Sequence, residues 1–173
     1  MKYPIGKASL PEEFNNEHFT AALIRMERLP SKLRRLTENL TANQLQMQYR
    51  ENSWTVQQLV HHIADSHMNG FIRTKWALSE STPTIKPYNE KKWTLQPDAL
   101  DLPIEISLDL LDALHQRWTY LLRNLTDKEL HKAFIHPVGE INYTLFQQAE
   151  MYAWHGDHHY AHTQIALNIV NHR

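Results

Sequence analysis

There is no cysteine anywhere in the 173 residues. That excludes disulfides, a cysteine nucleophile and any metal site built on thiolate, so a metal here must be held by imidazole and carboxylate. Glycine is scarce, at four residues, and runs that alternate apolar with polar residues are few, which argues for a mostly helical protein. No window approaches the roughly 18 consecutive apolar residues of a membrane-spanning helix. The start, Met1-Lys2-Tyr3-Pro4-Ile5-Gly6-Lys7, lacks the apolar stretch of a signal peptide, so the chain is expected to be cytoplasmic and off the membrane. An excess of either charge is missing too. Lys and Arg number 18 and Asp and Glu 19, a formal net charge of −1, which offers no pull toward nucleic acid. The nearest basic run, Arg25, Arg28, Lys32, Arg34 and Arg35, falls at helical spacing and reads as a solvated face.

What the chain has in excess is histidine, 12 residues of the 173. The length and a hydrophobic content of 42% suit one domain, residues 1–173, with a sizeable core. Four long helices are expected: about Glu17–Leu40, kinked or split at Pro30, then Thr55–Ser79, Ser107–Leu125 and Thr144–Val170. Thr41-x-x-Gln44, Thr55-x-x-Gln58, Thr126-x-x-Glu129 and Thr144-x-x-Gln147 all fit the capping box. Leu40-Thr41-Ala42-Asn43-Gln44-Leu45 and Leu125-Thr126-Asp127-Lys128-Glu129-Leu130 mark a weak internal repeat. Each unit is a long helix, a capped turn, an extended piece and another long helix, and two units make an all-α four-helix bundle. Helices two and three are joined by a long Pro-rich crossover, about Glu80–Glu105, which holds Pro83, Pro87, Pro97 and Pro103. Connections this long tend to be functional, and Ile85, Tyr88 and Trp93 supply apolar anchors for order.

The chemistry gathers in Trp154-His155-Gly156-Asp157-His158-His159-Tyr160-Ala161-His162, four histidines in eight residues from His155. On a helix His155 and His159 stand one turn apart, and His158 with His162 forms a second such pair. Either pair can converge on one divalent ion. Helix two offers a third nitrogen from His61 or His62, and spacing alone leaves both choices open. Three neutral imidazoles suit a catalytic zinc site with an open position. The zinc-protease pattern needs Glu directly after its first histidine, whereas Gly156 and Asp157 follow His155. No Glu-x-x-His occurs either, which disfavours a ferritin-like di-iron site. Trp54, Trp76, Trp118 and Trp154 read as packing residues.

The stretch Ser53-Trp54-Thr55-Val56-Gln57-Gln58-Leu59-Val60-His61-His62 resembles the DinB/YfiT-like family, in which a ligand histidine follows eight residues after such a Trp. The C-terminal His-x-x-His-His run is similar to the family's last-helix pair. Tyr3-Pro4-Ile5-Gly6-Lys7, Thr82-Pro83-Thr84-Ile85-Lys86-Pro87-Tyr88 and Tyr152-Ala153-Trp154-His155 extend the resemblance, closest to the YfiT branch, over nearly the whole chain. It implies His62, His155 and His159 as ligands of one divalent metal ion per subunit. Zinc is the more usual occupant of such a set and nickel also suits imidazole. Many members carry Gln at the position of His162. The resemblance also implies a homodimer and a metal-dependent hydrolase that activates water. The alternative is an S-transferase that activates a low-molecular-weight thiol of bacillithiol type, and a rival from another class is a non-enzymatic metal-binding module. The partner is expected to be a small molecule. Asp65 and Asn69, beyond His62, and His158 and His162, flanking the pair, are candidates for contacts around the ligands or the substrate. No general base is evident, because Asp157 falls opposite the ligand face.

Overall fold

The computed structural model describes residues 2–169. Helix α1, Asn16–Thr37, starts where Asn15 accepts the His18 N–H at 3.0 Å and buries Phe19, Leu23, Met26, Leu29 and Leu33, the spacing of one helical face. It runs unbroken through Pro30, so the expected split does not occur. Burial of Pro30 in the same stripe keeps it in register, but the ring has no N–H to bond the Met26 carbonyl one turn earlier. A one-turn helix α2, Ala42–Leu45, leads to α3, Val56–Ser79. The crossover carries two short helices, α4, Glu90–Trp93, and α5, Pro97–Asp101. Then come α6, Ile104–Arg123, and the single turn α7, Asp127–Leu130. Strands β1, Ala133–His136, and β2, Ile141–Thr144, pair antiparallel and run directly into α8, Leu145–Ala166. The expected helix end at Val170 lies outside the described residues.

All four capping boxes form, at Thr41, Thr55, Thr126 and Thr144, each contributing about 1 kcal/mol. The internal repeat extends to single hydrogen bonds. The Val56 N–H donates to the Met47 carbonyl at 3.0 Å, and at the equivalent place the Leu145 N–H donates to Lys132 at 2.9 Å. The bridge Gln48–Thr55 matches the pair Ala133–Thr144. In the second half this extended piece lengthens into the β-hairpin, whose turn is eased by Gly139 at φ +82°.

The long helices pack in a ring: α1 touches α6 and α8, and α3 touches the same two. Two apolar clusters fill the ring. One holds Phe19, Met26, Trp118, Leu122, Phe146 and Tyr152, and the other Leu29, Leu33, Val60, Ile63, Leu108 and Leu111. Each fully buried side chain of this size contributes about 1.5–3 kcal/mol. The crossover is fastened to α3 by side chains that reach its carbonyls. Gln57 donates to Leu100 at 2.6 Å, Gln58 to Thr94 at 2.8 Å, and His61 bonds Leu102 at 3.0 Å. Ile85 anchors it in a third cluster beneath the hairpin, with Phe134 and Leu145. No described helix is long and apolar enough to cross a membrane.

Candidate metal centre

Adjacent helices α3 and α8 bring His62, His155 and His159 together, with one ring nitrogen from each lying within 4.8 Å of the others. The closest approach joins His62 Nε2 and His155 Nε2 at 3.3 Å. All three imidazoles are neutral near pH 7. Burial pulls His62 down to about 4, and burial with the neighbouring histidines pulls His155 and His159 well below the ordinary value. His61, the competing choice on α3, faces the crossover instead and bonds Ser107 Oγ at 2.8 Å. A second group, His158, His159 and His162, also lies within 4.8 Å. Its members come from one stretch of α8 and share His159 with the first group. Trp154 stacks on His158 at 4.5 Å, and Tyr49 stacks on His162 at 3.9 Å.

Behind His155 runs a chain of hydrogen bonds that takes one residue from every long helix. His155 Nδ1 on α8 lies 3.2 Å from His67 Nε2 on α3. His67 Nδ1 lies 2.8 Å from His115 Nε2 on α6, and His115 Nδ1 lies 2.6 Å from the Met26 carbonyl on α1. That carbonyl is the one Pro30 leaves without an intrahelical donor. A carbonyl only accepts, so His115 must carry its proton on Nδ1. His115 is neutral, pulled down to about 4 by burial, so its Nε2 is an acceptor and His67 must donate from Nδ1. His67 is also held neutral, mainly by burial, which leaves its Nε2 as an acceptor for His155 Nδ1–H. A neutral His155 therefore turns a bare lone pair at Nε2 toward His62 and His159. This is the second-layer orientation that metal-binding histidines require, built here from imidazoles.

The donor set fits a divalent ion. Two nitrogens bound to one tetrahedral zinc at about 2.0–2.1 Å stand about 3.3 Å apart, the separation of the two Nε2 atoms. Three neutral nitrogens suit zinc or nickel, and hard oxygen-seeking ions are poorly matched. Among the described residues Nδ1 of His159 has no hydrogen-bond partner. Its ring is positioned by His62 and His155, with centroids at 4.8 and 4.5 Å.

The cluster opens on a cavity of about 620 Å³ whose wall includes His62, His155, His158, His159 and His162. Trp54 lines it beside His62, at 4.5 Å between rings, and so is more than the packing residue its position suggested. Trp154 and Trp118 do pack, whereas Trp76 is 37% exposed. Pro87, Tyr88 and Glu90 of the crossover close one side. A side chamber of about 190 Å³ shares Ser66, Arg73, His136 and His155 with it. Asp65 and Asn69 line neither space. Asn69 donates to the Asp65 carbonyl along α3. Burial, with Asp98 nearby, pushes the Asp65 carboxyl up to about 6. Asp157 is held on the α1 side by Arg25 at 2.7 Å and Lys32 at 3.3 Å, away from the cluster as its helical position requires.

Spacing did not single out His67, His115, Arg73 or Tyr152, whereas Ser66 shares the polar face of His62 by its spacing. The first two had a signal. His115 occupies an apolar-stripe position between Leu111 and Trp118, and His67 lies between Ile63 and Gly70 on the inner face of α3. An imidazole in a core stripe needs a partner.

A family model described as "DinB superfamily" matches residues 25–163. A protein of Halalkalibacterium halodurans, named "Putative metal-dependent hydrolase", is 46% identical over 166 residues, covering 96% of each chain. One of the same name from Bacillus cereus is 45% identical over 163 residues, 94% of this chain and 92% of that one. The solved structure of YfiT from Bacillus subtilis superposes with a TM-score of 0.93 at 42% identity over 97% of each chain. That protein is described as "a probable metal-dependent hydrolase with an unusual four-helix bundle topology". With the bundle, the three-histidine cluster and near full-length similarity in agreement, the chain belongs to the DinB superfamily and within it to the YfiT-like proteins.

Proposed function

We propose that the protein is a metal-dependent hydrolase of small molecules whose single divalent ion, zinc or nickel, is held by His62, His155 and His159. The observation that carries this reading is the lone pair at His155 Nε2, fixed by the chain through His67 and His115 to the Met26 carbonyl and set 3.3 Å from His62 Nε2. The names of the relatives support it. When bound, the ion supplies Lewis acidity, lowering the pKa of water toward neutrality. The protein's own part is to hold three imidazoles neutral, to keep the ion at the wall of the cavity, and to exclude bulk water with Trp54 and the crossover residues Pro87 and Tyr88. His158 and His162 stand on the same wall, within reach of a proton leaving or joining the substrate, and burial lowers the basicity of His158.

The test begins with tag-free, metal-depleted protein titrated with zinc. Wild type should take up one equivalent, His62→Ala should lose it, and His162→Ala should keep it. Loss in His162→Ala with retention in His62→Ala would move the ion to the other histidine group. The loaded protein is then assayed on activated esters with and without an added low-molecular-weight thiol. Turnover without thiol is expected, and turnover strictly dependent on thiol would replace hydrolysis by thiol transfer.

A further inference from the structure

We infer that the cavity is built for a substrate bearing an anionic oxygen group, and that Arg73 receives that group. The inference deepens the hydrolase reading and rests on it for the reaction, while the anion subsite stands on Arg73 itself. Arg73 lies on α3 beyond His62 and lines both the main cavity and its side chamber, as His155 does. Its guanidinium carries five N–H donors. Among the described residues the single hydrogen bond it makes is a long one, from Nη1 to Tyr152 Oη at 3.4 Å, and its buried Nε has no partner.

Four other cations on the long helices have carboxylate partners. Arg25 and Lys32 share Asp157, Arg34 binds Asp109 and Arg123 binds Glu27. Arg73 has no carboxylate among the described residues. Tyr152 does not replace one, because burial keeps its phenol protonated. A half-buried guanidinium facing a cavity without a counter-ion is costly unless an anion from outside completes it. The remaining charges point the same way. Lys2 and Arg50 stand on the cavity wall, against a single lining carboxylate, Glu90, and the histidines add no negative charge.

The side chamber beyond Arg73 is walled by Phe134, Tyr143 and Met151, which suits a short carbon skeleton. A ligand with its carboxylate, phosphate or sulfonate on Arg73 would keep its cleavable bond on the His155 side, away from the guanidinium. A planar fork of donors favours such two-oxygen groups.

Two arms separate this inference from the reaction assigned above. In the first, metal-free protein is titrated with succinate and with inorganic phosphate, so that no metal can bind the anion. Wild type should bind one of them saturably, which names the preferred group. Arg73→Gln should bind it about ten-fold or more weakly, Arg73→Lys should fall between, and His62→Ala should match wild type. Absence of binding by wild type, or equal binding by Arg73→Gln, overturns the inference. In the second arm, zinc-loaded protein is given para-nitrophenyl hemisuccinate and the neutral para-nitrophenyl butyrate. Arg73→Gln should raise KM for the hemisuccinate about ten-fold while kcat stays near wild type, and should leave the butyrate unaffected. An equal fall in kcat for both esters would make Arg73 a stabiliser of developing charge and overturn the ground-state role. If neither ester turns over, the hydrolase reading suffers, and the anion titration still decides the role of Arg73.

Discussion

At the scale of single residues, the site depends on where protons sit on imidazoles. His155 presents its lone pair because His67 accepts its Nδ1–H, and His67 can accept because His115 is committed to the Met26 carbonyl. Replacing His67 by Leu removes the acceptor and lets His155 choose either tautomer. Zinc affinity should fall about 10–100-fold, the usual effect of losing a ligand's orienting partner, while stoichiometry stays at one. His67→Gln, whose amide oxygen can accept, should recover part of the loss. The nitrogen-15 spectrum of metal-free wild type should show His155 protonated at Nδ1, and His67→Leu should show a mixture of tautomers. An unaltered tautomer with unaltered affinity would make the chain a packing feature only. The sequence displayed His155 and His159 as one of two i, i+4 pairs, because spacing encodes a shared helix face, and the family pattern chose that pair and added His62. His67 and His115 stayed hidden because neither has another histidine three or four residues away on its own helix. Their partnership exists only after α3 and α6 pack.

At the scale of elements, the same packing sets close approaches that place the ligands. A Cβ added at Gly70 of α3 would fall 2.4 Å from the Trp118 ring and 2.5 Å from the Tyr152 ring, both buried aromatics with little room to turn. Gly70→Ala gains helix propensity of roughly 1 kcal/mol. The collision should outweigh it, since overpacking of this kind costs about 1–3 kcal/mol or more. The expected result is a net loss of stability in urea unfolding, together with weaker zinc binding, because Tyr152 moves with α8 one turn before His155. Stability equal to wild type would show that the aromatic pair can rearrange. The four long helices were legible in the sequence because their apolar stripes are long, and two of them, α3 and α8, start at capping boxes, Thr55 and Thr144. The hairpin was not, since β1 has four residues, Ala-Phe-Ile-His, with no alternation in burial. Pro30 misled for a physical reason. Its missing N–H was read as a kink or a split, and no split occurs, since the freed carbonyl is satisfied from another helix.

At the scale of the whole molecule, a core that stores so many neutral histidines must be sensitive to acid. His61, His62, His67, His115, His155, His158 and His159 all have their basicity lowered, chiefly by burial. The direction of the effect follows from proton counts. Below about 6.5 the histidines of the unfolded chain take up protons, whereas His62 and His115 in the folded protein do not until about 4. The unfolded state then binds more protons, so stability falls as pH drops through this window and is fully present above it. Each such histidine contributes a slope of up to about 1.4 kcal/mol per pH unit. Metal-free protein should therefore show a nearly flat unfolding free energy from pH 8 to 7 and a steep fall from pH 6.5 to 4.5. His115→Gln can still donate to the Met26 carbonyl but cannot titrate. It should lower stability at pH 8, where the His67 partnership is weakened, yet show a shallower acid slope by about one histidine's share. Zinc should raise stability at pH 8 by mass action and lose that advantage in acid, as protons compete for its ligands. Urea titrations at pH 8 and pH 5, with and without zinc, read all of these together. An acid slope in His115→Gln equal to wild type would show that His115 is already protonated in the fold, and the tautomer chain behind His155 would fail with it.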